Sequence, residues 1–203
     1  MTISPFEQSY FLNKFGNKSN YIPVFHEVLQ NINIEKSENY VLYHGNLSVA
    51  ENSNAALYLI DVYKNSEFTL KIASSHQNKK VDFEIKKYEN IHFKKIESNL
   101  ELKNILKKAH INALPTFQKT GIKLKLINAL RQGKFVIANK EMIEGTGLEK
   151  LAEIANTKEE FLQKTSLLLC KKFNEKIVNE RLLILEDFNP KKSAEKIIKL
   201  IFS

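Results

Sequence analysis

Short runs of β-branched and aromatic residues alternate with longer helical patterns along most of this sequence. Alternation at this spacing predicts βαβ units, and therefore an α/β domain whose parallel sheet has helices on both faces. A sheet of about six strands is expected, with the sixth strand within 149–155. The other predicted strands are Tyr40–His44, Phe68–Ala73, Ile91–Phe93, Ile111–Pro115 and Phe135–Ala138. The helices predicted after the first strand are Glu51–Lys64, Val81–Tyr88, Leu100–Ala109, Ile122–Gln132, Lys158–Val178 and Ser193–Ile201.

The length of 203 residues suits one domain with a well-buried core. The beginning of the chain does not join the alternation. Phe6–Phe15 predicts a short helix, and Tyr21–His26 predicts an extended segment. We therefore expect a leading part, residues 1–30, followed by a single α/β domain, residues 31–203.

The charge balance favours anionic partners. The formal net charge is +8, from 31 Lys and Arg against 23 Asp and Glu. Nucleic acid, anionic lipid headgroups and nucleotide phosphates would all suit such a charge. No nucleic-acid-binding motif is recognisable, and the aromatic residues fall mostly within predicted strands rather than in a basic row. We therefore expect no nucleic-acid partner, and peripheral contact with a membrane stays open.

The cysteine, histidine and hydropathy patterns bear on metal binding and on the cellular location of the protein. Cys170 is the only cysteine and lies in an apolar helical run, which predicts a buried structural thiol. The five histidines show no paired ligand spacing, so no metal site is expected. The amino terminus lacks a signal-peptide pattern, and no apolar stretch approaches the ~20 residues that cross a bilayer. A cytoplasmic protein is expected, with the inner face of the membrane as the other open setting.

The segment that follows the fourth predicted strand has the properties of an anion site. Ligands of parallel sheets bind beyond the carboxyl ends of the strands. Here Thr120 and Gly121 lead into a helix whose first N–H groups are free to bind an anion, and Gly121 allows close approach. Lys123 and Lys125 add positive charge, but about 200° of helix separates them, so they do not reach the same atom. A solvated helix start in a lysine-rich chain is the alternative.

A second glycine corner follows the first predicted strand. His44-Gly45-Asn46-Leu47-Ser48 leads into the helix that contains Asn52. Because the strands are expected to be parallel, this corner lies at the same edge of the sheet as Thr120 and Gly121.

Together the two corners resemble the retaining GT-B glycosyltransferases of family 4, also called group 1. Gly45, Asn46, Leu47, Ser48 and Asn52 are similar to the opening Gly-x-Leu/Met-Ser-x-x-x-Asn of that family's second domain. The stretch 121–138 resembles the donor-loop block of the family's Lys-x-Lys subgroup, and 144–148 resembles the Glu-Gly-Leu that follows it. The similarity extends from about Tyr21 to the end of the chain.

The resemblance implies a Rossmann-like domain that binds the nucleoside-diphosphate sugar donor of a glycosyltransferase, for transfer to a glycan or lipid-linked acceptor. No cofactor or metal is implied, since helix dipole and cations would neutralise the leaving group. The implied diphosphate-binding residues are Gly45, Asn46, Thr120, Gly121, Ile122, Lys123 and Lys125. The base is expected near the end of the third strand, at Phe93, Lys94, Lys95 and Ile96.

One departure from the family pattern bears on activity. The glutamate that typically holds the ribose hydroxyls falls on Asn128, and an amide would do so only with different hydrogen bonding. A non-catalytic nucleotide-binding or partner module with a degenerate donor site is therefore the alternative function.

The resemblance covers one half of a two-domain enzyme. Residues 1–30 resemble the end of the first domain and the interdomain linker. An acceptor domain, on a longer chain or as a separate subunit, is thus an expected partner beside the nucleotide-sugar donor. We expect the isolated domain to be inactive, because the reaction needs groups from both walls of the cleft.

Overall fold

The computed structural model describes residues 1–16, 19–25, 32, 34, 37–118 and 124–202. Among the described residues before the alternation, Pro5–Phe15 form the helix α1. The strands are β1 (Glu38–His44), β2 (Leu70–Ser74), β3 (Ile91–Lys95), β4 (Ala109–Leu114), β5 (Phe135–Ala138) and β6 (Glu153–Ile154). The other α-helices are α2 (Ala50–Tyr63), α3 (Lys79–Ile85), α4 (Asn99–Lys108), α5 (Leu124–Gln132), α6 (Lys140–Ile143), α7 (Lys158–Leu169), α8 (Glu175–Leu185) and α9 (Pro190–Phe202). Short 3₁₀ turns occupy Glu149–Leu151 and Glu186–Phe188.

The sheet is six-stranded and parallel throughout, with the strand order β3-β2-β1-β4-β5-β6. This confirms the predicted α/β fold with a parallel sheet of about six strands. The central strands β4 and β5 are buried along their whole length, because both faces of a parallel sheet are covered.

Two tyrosines of β1 show how the helices cover the two faces. Side chains alternate between the faces of a strand. Tyr40 donates from its hydroxyl to the carbonyl of Ile105 in α4 (2.9 Å), whereas Tyr43 donates to the carbonyl of Asn52 in α2 (3.0 Å). Helix α2 packs on α3 and α7, and α4 packs on α5. The sheet therefore lies between two helical layers.

Packing, rather than backbone conformation, requires the glycine that follows α5, Gly133. Glycine is favoured after a helix because it adopts a left-handed conformation, yet Gly133 is not among the described residues with positive φ. A Cβ at this position would lie 2.4 Å from Nδ2 of Asn112 and 2.8 Å from the carbonyl of Ala129. Gly133 is thus needed for the close packing of α5 against β4.

The carboxyl-terminal part differs from the prediction of one helix over 158–178. The chain leaves α7 after Leu169 and begins α8 at Glu175, with Asn174 accepting from the Ile177 N–H (3.1 Å). The break lets Phe173 fold inward and pack edge-on against Phe135, with ring centroids 5.4 Å apart. The prediction of a buried thiol is also wrong, because Cys170 ends α7 and is exposed.

Smaller shifts concern element ends. Helix α3 begins two residues earlier than predicted, because Asn78 caps it by accepting from the N–H groups of Lys80 and Val81. It also ends earlier, at Ile85. The sixth strand is confined to Glu153–Ile154. In the leading part, Thr2 forms a single parallel bridge with Tyr21, and the expected extended segment makes no longer pairing among its described residues.

Candidate functional site

The strand order reverses between β1 and β4, which leaves a crevice at their carboxyl ends. From β1 the chain continues to β2 and β3 on one side, and from β4 it continues to β5 and β6 on the other. The two connections therefore diverge above the sheet, and such a point is where open α/β sheets bind ligands. We call the connection from β1 to α2 the first corner and the connection from β4 to α5 the second corner.

Gly45 allows the first corner to lie close against α2. A Cβ on Gly45 would approach Cγ of Asn52 and the Tyr43 hydroxyl to 3.1 Å each. Asn52 in turn donates from Nδ2 to the carbonyl of Asn46 (3.0 Å). A Cβ at position 45 would require these partners to shift slightly, so glycine lets the corner pack tightly here.

Asn46 gives the first corner its turn. Its Oδ1 accepts from the backbone N–H of Ser48 (2.9 Å) and from the Ser48 hydroxyl (2.7 Å). This is the Asx-type geometry that asparagine favours in turns. Leu47 is buried and anchors the loop in the core. Its N–H donates to Oγ of Ser74 (3.1 Å).

Glu51 in the first turn of α2 holds the second corner. Its Oε1 accepts from the Thr116 hydroxyl (2.5 Å) and from the Phe117 N–H (2.7 Å). Burial by itself raises the pKa of the Glu51 carboxyl, but the hydrogen bond from Thr116, the backbone N–H of Phe117 and the charge of Lys125 outweigh it. The net pKa lies below the ordinary value, so Glu51 is an anion at neutral pH.

Lys125, in the helix that follows the second corner, contacts residues at the first corner. Its Nζ lies 2.6 Å from Oδ1 of Asn52 and 3.4 Å from the Tyr43 hydroxyl, and 5.3 Å from the centroid of the Tyr43 ring. The ammonium group of α5 thus sits beside the first corner. A cation held by amide and hydroxyl oxygens at a sheet edge can exchange those partners for the oxygens of an anionic ligand.

His44 lies beneath this cation at the end of β1. The residue is buried, and neither ring nitrogen has a hydrogen-bond partner in the described structure. Burial, together with the charge of Lys125, lowers the pKa of His44 to about 3. The imidazole is therefore neutral at physiological pH.

A cavity of about 430 Å³ opens beside the first corner. Gly45, Asn46 and Ile96 all line it, together with residues 73–75 and the start of α4. Of the four residues predicted to bind the base, Ile96 is thus the one placed beside Gly45 and Asn46.

The other three predicted base-binding residues lie elsewhere. Phe93 and Lys94 line a separate groove of about 590 Å³ between the sheet and α4. Lys95 is exposed and pairs with Glu97, with 3.1 Å between Nζ and Oε1. Phe93, Lys94 and Lys95 lie within β3, the outermost strand of the sheet, whereas Ile96 follows the end of that strand.

Asn128, predicted to bind the ribose, lines an adjoining cavity of about 300 Å³. That cavity shares Asn99 and Leu102 with the one beside the first corner. The amide therefore lies on the α4 side of α5, across the start of α4 from Gly45.

Four of the predicted diphosphate-binding residues, Thr120, Gly121, Ile122 and Lys123, lie outside the described residues. Of the predicted set, the structure brings together Gly45, Asn46 and Lys125. Sequence reasoning missed Glu51 and Thr116. Their signal was present, since a carboxylate in the first turn after one strand and a hydroxyl just after another belong to one edge of a parallel sheet.

The described residues lack two other features that would bear on function. Within the described residues, no group of three or more His, Cys, Asp or Glu side chains could hold a metal ion. In that same part of the chain, no helix is long and apolar enough to span a bilayer.

Comparison with known proteins identifies the fold. No protein-family model matches the sequence, and no curated protein does. Among solved structures, a variant of S. aureus TarM in complex with fondaparinux, alpha-GlcNAc-glycerol and UDP is 17% identical, with a TM-score of 0.73 over 99% of this chain and 43% of its own. Anabaena HepE, in complex with UDP and glucose, is 13% identical, with a TM-score of 0.72 over 100% of this chain and 62% of its own.

A third similar structure is an isolated domain. The C-terminal domain of LpcC, a group 1 glycosyl transferase of Francisella tularensis, is 13% identical, with a TM-score of 0.55 over 74% of this chain and 86% of its own. The described chain thus has the Rossmann-like fold of the C-terminal half of GT-B glycosyltransferases. It spans 43% of TarM and 62% of HepE.

Proposed function

We propose that this domain binds the nucleoside-diphosphate sugar donor of a retaining GT-B glycosyltransferase in the crevice between the first and second corners. The observation that carries the proposal is the position of Lys125, whose ammonium group reaches from α5 to Asn52 beside Gly45. A compact cation next to a tight glycine corner at the strand-order reversal suits a diphosphate.

The arrangement supplies binding and charge neutralisation. Lys125 would exchange Asn52 Oδ1 for a phosphate oxygen, and the first N–H groups of α2 would add to the binding of the anion. Departure of a nucleoside diphosphate from the sugar develops negative charge, and a fixed cation stabilises that charge without a metal. Residues 119–123, which precede α5, would complete the phosphate contacts.

The nucleoside would occupy the cavities on the α4 side. Ile96 and residues 73–75 would surround the base, and Asn128 in the adjoining cavity would meet the ribose. Phe93, Lys94 and Lys95 have no contact in this arrangement.

An acceptor domain is part of the proposal. The transfer reaction needs a second wall that binds a glycan or lipid-linked acceptor and excludes water. That wall would come from a longer chain or from a separate subunit, with residues 1–30 as the connection and 31–203 as the donor domain. The isolated domain would then bind donor without transferring sugar, in the cytoplasm or at the inner face of the membrane.

The second candidate function is a non-catalytic nucleotide-binding or partner module. Asn128 favours it, because an amide has one acceptor oxygen where a carboxylate has two, and would hold the ribose hydroxyls only with different hydrogen bonding.

Thermal unfolding in the presence of nucleotides tests the proposal. Millimolar UDP, GDP and ADP are each compared with the corresponding monophosphate. A ligand at ~100 times its dissociation constant stabilises the folded state by ~2.7 kcal/mol. For a domain of this size that raises the unfolding midpoint by roughly 5–10 °C. We expect one diphosphate to give such a shift and Lys125→Gln to abolish it.

Lys176→Gln is the matched control, because Lys176 is an exposed lysine on α8, remote from the crevice. A shift that survives Lys125→Gln would overturn the phosphate assignment. No shift with any diphosphate would favour the partner module.

A further inference from the structure

A buried histidine without a hydrogen-bond partner lies in the wall of the cavity beside the first corner. His44 is 4% exposed, and neither Nδ1 nor Nε2 has a partner among the described residues. Side chains alternate along a strand, so His44 lies on the same side of β1 as Tyr40, whose hydroxyl reaches α4. Asn99 and Leu102, at the start of α4, line this cavity together with His44. The imidazole thus borders the space between β1 and α4.

The other buried histidine of the described chain shows what such an environment normally requires. His110 is 7% exposed, and both of its ring nitrogens have partners. Nδ1 lies 2.6 Å from the Ser37 hydroxyl, and Nε2 lies 2.8 Å from the carbonyl oxygen of Leu168. A buried polar group without a partner costs free energy, and nearly all such groups are paired. Because His44 borders a cavity, a bound molecule is able to supply its partner.

The imidazole of His44 suits a hydroxyl group better than a phosphate. Burial and the charge of Lys125 lower the pKa of His44 to about 3, so the ring is neutral and has one N–H donor and one acceptor nitrogen. An ionised phosphate oxygen only accepts, whereas a hydroxyl both donates and accepts. A hydroxyl therefore pairs with either ring nitrogen, and a phosphate with only one of them.

The position of His44 indicates which part of a nucleotide-sugar donor it would meet. This step rests on the proposed function, in which the diphosphate lies at Gly45 and the base at Ile96. The ribose joins base and diphosphate covalently, whereas the transferred sugar is attached at the far end of the diphosphate. His44 directly precedes Gly45 and lines one cavity with Ile96. The ribose is therefore the hydroxyl-bearing part of the donor that would lie beside His44.

We propose that His44 hydrogen-bonds one ribose hydroxyl of the bound nucleotide and makes the site selective for ribonucleotides. The contact is additional to that of Asn128, which lines the adjoining cavity with Asn99 and Leu102. Two polar side chains then share the two ribose hydroxyls, and neither needs to be a carboxylate.

Isothermal titration calorimetry on the full chain tests this contact. UDP, GDP and ADP are each compared with the corresponding 2′-deoxy and 3′-deoxy diphosphates. We expect the natural protein to bind at least one deoxy form about tenfold more weakly, the usual loss when one partner of a buried hydrogen bond is removed. His44→Phe keeps a planar ring without nitrogen atoms, and it should bind that deoxy form and its ribonucleotide equally. His44→Gln, which donates and accepts, should retain part of the difference.

His92→Phe is the matched control, because His92 is an exposed histidine of β3, and it should leave every affinity unchanged. Circular dichroism should show that the variants fold, and His44→Leu makes the same test if His44→Phe does not. A loss of affinity in His44→Phe that is equal for the ribonucleotide and its deoxy forms would overturn the proposal, because His44 would then only shape the cavity. Equal binding of all forms by the natural protein would do so as well. In both cases a diphosphate still binds and the proposed function stands, whereas absence of any nucleotide binding would remove both.

Discussion

At the amino end of the sheet the cations point inward, whereas at the carboxyl end the cation faces a crevice. Arg131 donates to the carbonyl of Phe188 (2.8 Å), Lys134 to that of Lys107 (2.8 Å), and Arg181 to those of Leu130 and Gly133 (3.0 and 2.9 Å). All three cations are buried. Lys125 instead donates to side-chain oxygens of Asn52 and Tyr43.

This comparison distinguishes cations that stabilise the fold from a cation that is able to bind an anionic ligand. Backbone carbonyls at the amino end would lose their partners if a ligand took the arginines, and buried unpaired groups are costly. Burial also lowers the pKa of Arg181 to about 10, which still leaves it charged at neutral pH. At the carboxyl end an amide oxygen loses little when a phosphate replaces it, because water can reach the crevice. A positive net charge alone does not make this distinction.

The largest loss of stability is expected from a substitution at the amino end of the sheet. Arg181→Met removes hydrogen bonds to the carbonyls of Leu130, Gly133 and Lys134 and leaves those groups buried. We expect the free energy of unfolding to fall by about 3 kcal/mol, measured by urea denaturation. Lys176→Met on the same helix is the control. A loss below ~1 kcal/mol would show that the inward-facing cations do not stabilise this end.

A smaller loss of stability is expected when the hydrogen bonds between Glu51 and the second corner are weakened. Glu51→Gln keeps the shape but removes the charge that accepts from Thr116 and Phe117. The expected loss at pH 7 is about 1 kcal/mol of unfolding free energy. Because the folded pKa of Glu51 is lowered, its stabilisation is present above the unfolded value and is lost as the pH falls through the folded one.

The difference between Glu51→Gln and the natural protein should therefore shrink below pH 4.5, the ordinary value. Urea denaturation at pH 7 and pH 4 measures it. Glu67→Gln, at an exposed carboxylate, is the control. A difference that stays constant with pH would mean that shape, not charge, joins the corners.

The effect that is smallest at neutral pH, and grows only in acid, concerns His44, the buried group near Lys125. Its folded pKa of about 3 lies below the ordinary 6.5, so the unfolded chain binds a proton that the folded one does not. Protonation of His44 therefore costs no stability above pH 6.5. Below that value the free energy of unfolding declines toward pH 3, by about 1 kcal/mol per pH unit. His44→Gln should lose this slope between pH 6.5 and 5, whereas His92→Gln, at an exposed residue, should keep it. Equal slopes would mean that His44 is not shielded from water.

Much of the fold followed from local pattern. The alternation predicted a six-stranded parallel sheet because β-branched runs and 3.6-residue periodicity are properties of neighbouring residues. The break between α7 and α8 was not predictable in this way. It exists because Phe173 packs on Phe135, which lies 38 positions earlier in the chain.

The site was predicted in part. That Gly45, Asn46 and Lys125 lie together followed from a local signal, because glycine and lysine stand next to strand ends, and their role in binding stays a prediction. The pairing of Glu51 with Thr116 did not follow from such a signal, because each residue reads locally as an ordinary helix start or loop residue. Phe93, Lys94, Lys95 and Ile96 were predicted from their position near the end of β3, but of the four only Ile96, which follows the strand, lines the cavity beside Gly45.

By itself, the sequence determined the α/β class, the parallel sheet and the two corners that meet at one of its edges, since these depend on periodicity and strand direction. Only the tertiary structure decided which cations face the crevice. Lys125, Arg131 and Lys134 lie within ten residues of one another, and packing alone buries two of them against carbonyls and leaves the third beside Asn52. Burial depends on contacts between distant segments, which no local pattern contains.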